Sequence, residues 1–245
     1  MKIQSISRER IKSLAKLSRK QERLEKGQVI VEGARILDQL ASNNIMPLEL
    51  YLEGEQQAPS NLQSVPCYRL LRGDMERICE TNHAQGIAAL FPLPRPREAS
   101  LQRALYLDGI SDPGNMGTIF RIAAAFGISS ILLSENCVEI SNPKVIRASL
   151  GSVYWVPFRT MNHKLLLEQT ASLIALDMDG EIGLKDFHAP QGNSIYLIGS
   201  EAHGITRELR DKAGISIRIE MQSSMESLNA AIATALLAHR IFVSN

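Results

Sequence analysis

Short apolar runs alternate with helical stretches throughout the last 145 or so residues of the chain, and this alternation restricts the fold more than any other feature. Strands are expected at 104–107, 130–133, 153–158, 172–176, 195–198 and 216–219. Helices are expected between or after them at 116–126, 143–150, 164–170, 206–212 and 227–243. Strands joined by helices of this length predict a parallel sheet with helices on both faces. Ligands of such sheets bind beyond the carboxyl ends of the strands, so the loops leaving the strands are the candidate site.

The run Phe91-Pro92-Leu93-Pro94-Arg95-Pro96-Arg97 cannot continue a helix or a central strand and favours an extended spacer. It divides the chain into an N-terminal domain at 1–92, a linker at 93–100 and a C-terminal domain at 101–245. The first part reads as a smaller α/β unit, with strands at 28–31, 48–52 and 87–91 and a helix at 35–41. Residues 1–27 hold nine Lys and Arg against three Glu, although the whole chain carries only +1. That basic segment is either a footprint for phosphates or an amphipathic helix with Ile11, Leu14 and Leu17 inward, and both readings can hold together. Hydrophobic residues at 44% and charged residues at 22% fit a folded globular chain. No apolar run approaches the roughly 18 residues of a membrane span. The start Met1-Lys2-Ile3-Gln4 lacks a signal-peptide core, and three scattered cysteines fit a reducing compartment. The expected location is the cytoplasm.

Three loops carry the chemical signal. In Leu107-Asp108-Gly109-Ile110-Ser111-Asp112-Pro113-Gly114-Asn115-Met116-Gly117, Pro-Gly supplies a turn in which Gly114 can take a positive φ. Asn115 is placed to cap a helix that carries Arg121 and ends at Gly127. Leu197-Ile198-Gly199-Ser200-Glu201-Ala202-His203-Gly204 is a buried strand entering a glycine-bracketed acidic loop, where backbone can approach a ligand closely. His203 reads as a decoration of that loop. In the third, from Ile219 to Asn229, Ser227 is a natural N-cap and Asn229 falls in the first turn of the last helix. Each loop taken alone is equally a capped or turn-closed structural corner. A GxGxxG fingerprint, a P-loop, a nucleophile elbow and histidines at metal-ligand spacing are all missing, so no metal site is expected.

Together these loops resemble the SpoU/TrmH family of RNA ribose 2′-O-methyltransferases, of the SPOUT class. The resemblance rests on Asp112-Pro113-Gly114-Asn115-Met116-Gly117-Thr118 through Arg121 and Gly127, then Gly199 to Gly204, then Ile219-Glu220-Met221 with Ser227-Leu228-Asn229. The first part is similar to the family's RNA-binding domain through Glu32-Gly33-Ala34-Arg35 and His83-Ala84-Gln85-Gly86-Ile87. The resemblance implies a C-terminal trefoil knot, an exception to the rule against threaded loops. It implies S-adenosylmethionine held at Leu176, Gly199, Ile219, Met221 and Leu228. It also implies Arg121 acting on the ribose, helped by Asn115, Glu201, Ser227 and Asn229, in a homodimer whose active site lies near the subunit interface. The chain departs from the family pattern at Ser200 (commonly Asn), Glu220 (Pro) and Ser223 (Gly), and has Ala230-Ala231-Ile232 where Val-Ser-Val is usual.

Transfer from an activated sulfonium mainly requires alignment, and positioning of that kind can supply roughly 7–11 kcal/mol. The family proposal makes Arg121 a base, but deprotonating a guanidinium near neutral pH costs on the order of 7 kcal/mol. The expected role is to fix phosphate or ribose and to stabilise developing oxyanion charge, with Glu201 a candidate proton acceptor. The expected substrate is 23S ribosomal RNA. The rival readings are a transfer-RNA 2′-O-methyltransferase, an RNA-binding protein with a degenerate methyltransferase domain, and an α/β hydrolase or nucleotide enzyme.

Overall fold

The computed structural model describes residues 3–79, 84–200, 202–222 and 227–244. Glu201, Ser223 and His83, singled out above, lie outside the described residues. Two compact units form, one of Met1–Pro94 with Ile140–Trp155 and one of Arg95–Glu139 with Val156–Asn245.

Along the chain the first unit contains β1 (Ile3–Ser5), α1 (Arg8–Ala15), α2 (Lys20–Lys26), β2 (Gln28–Glu32), α3 (Ala34–Ser42), β3 (Glu49–Glu53), β4 (Cys67–Leu70), α4 (Arg72–Cys79) and β5 (Ile87–Pro92). The second has β6 (Ala104–Asp108), α5 (Pro113–Ala125) and β7 (Ser130–Leu133). The chain then returns to the first unit for α6 (Pro143–Ala148). The second unit resumes with β8 (Phe158–Thr160), α7 (His163–Leu167), β9 (Ser172–Leu176), β10 (Ile182–Gly183), β11 (Ser194–Gly199), α8 (Arg207–Lys212), β12 (Ile215–Arg218) and α9 (Ala230–Val243).

The first unit's sheet runs β1-β4-β3-β5-β2, with β5 antiparallel to both of its neighbours. Ile11, Leu14 and Leu17 are buried against Tyr51, Met75 and Leu90 of this sheet and its helices, so the basic segment is amphipathic as expected. Arg23 is buried too, and its Nη1 donates to the carbonyls of Leu17 (3.1 Å) and Ser18 (2.6 Å), which satisfies a charge that would otherwise be costly inside. The short strands β1 and β4 escaped the sequence reading because three or four residues carry too little periodicity, and α4 because Gly73 and the charged residues around it hide its apolar face.

The expected strand at 153–158 is corrected. Leu150 and Gly151 both take positive φ (49° and 83°), and the chain makes a 3₁₀ turn at Ser152–Tyr154 before β8 begins beyond Pro157. Val153, Tyr154 and Val156 are apolar and buried as core turns can be, and burial alone does not distinguish a strand. Tyr154 Oη donates to the Pro92 carbonyl at 2.9 Å, and α6 packs on β2. A Cβ on Gly151 would lie 2.6 Å from Leu40 Cδ2 and would impose a strained φ as well. Gly151→Ala is therefore expected to destabilise the protein by about 2 kcal/mol or more, read as a lower urea midpoint at unchanged m-value.

The second unit's sheet is wholly parallel in the order β10-β12-β9-β11-β6-β7-β8. The chain adds β7 and β8 on one side of β6 and then crosses to the other side for β9 and β10; β11 enters between β9 and β6, and β12 between β9 and β10. The order therefore reverses between β6 and β11, which places the switch-point crevice at the ends of these central strands. Tyr106, Leu132, Ile195 and Leu197 are fully buried in the core that fixes the strands.

Both expected caps shift by two or three residues. Asp112, not Asn115, caps α5: its Oδ1 accepts the Asn115 N–H at 2.7 Å, with Pro113 opening the helix. Gly114 lies in the first helical turn rather than at positive φ, and a Cβ there would crowd the Asp112 carboxylate at 3.0 Å. Asn229, not Ser227, caps α9, with Oδ1 accepting from Ala231 N (3.0 Å) and Ile232 N (3.3 Å).

Candidate active site

Strands β9, β11 and β12 end side by side, and their exit loops meet the start of α9. Between them is a cleft of about 400 Å³. That volume lies within the usual range for a small-molecule site of roughly 300–1,000 Å³. Leu176, Gly199, Ile219, Met221 and Leu228, the five residues expected to hold the cofactor, all line it. Ser227 lines it as well, as do Ala230 and Ala233, whose small side chains leave room along the first turns of α9.

The loop after β11 shows why Gly199 is glycine. A Cβ there would fall 2.0 Å from the Gly204 carbonyl carbon and 2.2 Å from Ile205 N, so only a bare Cα lets the loop fold back on itself. The Gly204 N–H donates to the Ser200 carbonyl at 2.8 Å, and the His203 N–H reaches Ser200 Oγ at 3.3 Å. The hydroxyl thus closes the turn at a position where the family commonly has Asn. Glu220, another departure, fills the space over Gly183, where a Cβ would meet its Oε1 at 2.3 Å.

The first and third loops are joined directly. With its oxygen engaged at the cap, Asn229 uses Nδ2 to donate to Asn115 Oδ1 at 2.9 Å. That bond links α5 to α9, which pack along one another. Arg121 is exposed on α5 and does not line the cleft. The structure therefore brings Asn115, Ser227 and Asn229 together with the cleft's end of α9, and leaves Arg121 on the outer face of the neighbouring helix.

Sequence reasoning missed three features. Asp108, at the end of β6, is 5% exposed, accepts the Thr206 N–H at 2.9 Å and lies 3.1 Å from His163 Nε2, tying the second loop to the central strand. Burial, and then the Asp108 charge, push the neighbouring Tyr106 phenol up. Asp177 and Arg210 line the cleft and pair with each other, an arrangement that residues 33 apart cannot announce in sequence. His203, read as decoration, also lines the cleft. Burial pushes the Cys137 thiol up beside the first loop, so it stays protonated near neutral pH and is unsuited to act as a nucleophile. No group of three or more potential metal ligands occurs among the described residues.

A parallel sheet with a cleft beyond the carboxyl ends of β9, β11 and β12, closed by their exit loops, marks an α/β enzyme scaffold built for a small cosubstrate. Residues 102–239 match the family described as SpoU rRNA Methylase, and the chain belongs to that family. Residues 8–89 match an MRM3-like substrate binding domain. Among relatives is the 23S rRNA (guanosine(2553)-2′-O)-methyltransferase RlmP of Bacillus subtilis, 27% identical over 243 residues, covering 98% of each chain. Two solved structures share the fold. An AdoMet-bound rRNA methyltransferase from Sinorhizobium meliloti has a TM-score of 0.79 at 23% identity, over 97% of this chain and 95% of its own. The AdoMet complex of the SpoU methyltransferase AviRb from Streptomyces viridochromogenes has a TM-score of 0.77 at 20% identity, over 96% and 97%.

Proposed function

We propose that this chain transfers the methyl group of S-adenosylmethionine to a ribose 2′-hydroxyl of RNA, with 23S ribosomal RNA as the substrate. The observation that carries the reading is the cleft, which gathers all five expected cofactor residues from three separate loops. Leu176, Ile198, Ile219 and Leu228 in its lining suit an adenine and the carbon chain beside the sulfonium, and Gly199 allows backbone to approach them. Family membership and the relative that modifies 23S rRNA support the substrate class.

The cofactor supplies an already activated methyl group. The residues of this chain then orient the acceptor, exclude water and accommodate charge. Asn115 and Asn229, locked to each other, hold the two helices in register beside the cleft, with Ser227 at its wall. Arg121 holds ribose or phosphate and stabilises the oxyanion as it develops, and Glu201 receives the proton. The N-terminal unit, which matches a substrate-binding domain over 8–89, grips the RNA through its basic surface.

The active form is a homodimer assembled through the C-terminal unit. Ile232, Leu236 and Val243 recur at i, i+4 and i+11 of α9 and are exposed, with exposed His239 at i+7 between them, a mostly apolar stripe suited to a second helix. Arg121 stands on α5, the helix against which α9 packs, which supports an active site near that interface. The return of α9 onto α5 and β11 supports the C-terminal trefoil knot. The chain functions in the cytoplasm; among the described residues, no helix is long and apolar enough to cross a membrane.

The test is incubation with methyl-labelled cofactor and either unmodified 23S ribosomal RNA or transfer RNA, followed by nucleoside mass spectrometry. A labelled 2′-O-methylnucleoside from ribosomal RNA is the expected product. Label on a base, or only on transfer RNA, would overturn the assignment.

A further inference from the structure

Arg210 is the only Lys or Arg among the described residues that line the cleft. It sits on α8, and its Nε lies 2.9 Å from Asp177 Oδ2. The Asp177 side chain is only 10% exposed, and its Oδ1 accepts the Asp179 N–H at 3.0 Å. Its backbone N–H donates to the Ile217 carbonyl at 2.8 Å, which anchors the residue to β12. The carboxylate is thus fixed by both backbone and side chain, and it fixes the guanidinium in turn.

The close contact of this ion pair is made through Nε. The two Nη groups make no hydrogen bond to a described residue, and Nη2 lies against the second loop, 3.8 Å from where a Cβ on Gly204 would be. A held guanidinium with its outer donors spare is a planar fork, and that geometry matches a carboxylate. A structural ion pair alone would account for the Asp177 contact. It would not account for the fork's position in the wall of an otherwise mostly apolar cleft.

We propose that Arg210, oriented by Asp177, binds the α-carboxylate of the cofactor's amino-acid end. This rests on the cofactor reading above and adds a residue to it. Arg210 is then a binding residue and Asp177 a positioning residue, and the pair makes the site select cofactors that keep the amino-acid tail over truncated nucleoside thioethers.

Calorimetry on the full chain without RNA tests this with two probes, S-adenosylhomocysteine and 5′-methylthioadenosine, the second lacking the amino-acid tail. Wild type should bind the first more tightly. Arg210→Gln should weaken S-adenosylhomocysteine by about 10- to 100-fold, as loss of a charge-assisted pair predicts, and leave 5′-methylthioadenosine within about twofold. Arg210→Lys, which keeps the charge but loses the fork, should fall between, and Asp177→Asn should show a smaller loss confined to the same probe. An equal loss for both probes, or an unchanged affinity for S-adenosylhomocysteine in both Arg210 variants, would overturn the proposal. Failure of the wild type to bind either probe would instead overturn the cofactor reading on which it rests.

Discussion

Alanine at Gly199 is expected to abolish cofactor binding, lowering affinity at least about 100-fold. The added methyl would lie 2.0 Å from the Gly204 carbonyl carbon and 2.4 Å from its oxygen, so backbone, not a flexible side chain, must move. The Ser200–Gly204 bridge would open, and the cleft wall formed by Ser200, Ala202 and Gly204 would open with it. Gly199 itself ends β11, which pairs with β6 on one side and β9 on the other, so the strand cannot shift to make room. Calorimetry with S-adenosylhomocysteine reads the effect. Gly73→Ala serves as the control: nothing lies within 4 Å of a Cβ there, and alanine in α4 should if anything stabilise. If Gly199→Ala bound normally, the loop would not be the rigid wall described.

Lysine at Arg121 is expected to lower turnover by roughly 10²- to 10³-fold, the scale seen when one donor to a developing oxyanion is removed. Cofactor affinity should not change, because Arg121 does not line the cleft. A guanidinium can hold an oxyanion and a phosphate together through its fork, whereas an ammonium is a single point charge. Single-turnover rates at saturating RNA and cofactor separate chemistry from binding. Near-wild-type turnover with normal RNA affinity in Arg121→Lys would remove the fork from the mechanism.

How much of this could be read from the chain depends on the range of the interaction. The central strands were legible because runs such as Ile195-Tyr196-Leu197-Ile198 are buried on both faces and bounded by turn residues. The apolar run from Val153 to Val156 carries the same composition, yet it follows a turn at Gly151 and leaves Val153 and Tyr154 in the first unit, a choice made by tertiary packing. Caps were legible in kind and misplaced in register. Asp112 and Asn229 won over Asn115 and Ser227 because extended backbone at those positions lets the side chain reach N–H groups two or three residues on. The two displaced residues kept positions at the site: Asn115 bonds Asn229, and Ser227 lines the cleft. The family motifs pointed to residues that line the cleft. The Asp177–Arg210 pair and the Asp108–Thr206 tie were not legible in this way, because each joins the end of a strand to α8 or its cap across a long stretch of chain and leaves no local spacing to detect.

The central claim is that a single cleft, walled by the ends of β9 and β11 and the approach to α9, is where the methyl donor lies. A crystal structure of the chain grown with S-adenosylhomocysteine measures this directly. The adenosine is expected to be enclosed by Leu176, Gly199, Ile219 and Leu228, with the carboxylate within hydrogen-bond reach of Arg210. Ligand density elsewhere on the protein, with this cleft filled only by solvent, would contradict it.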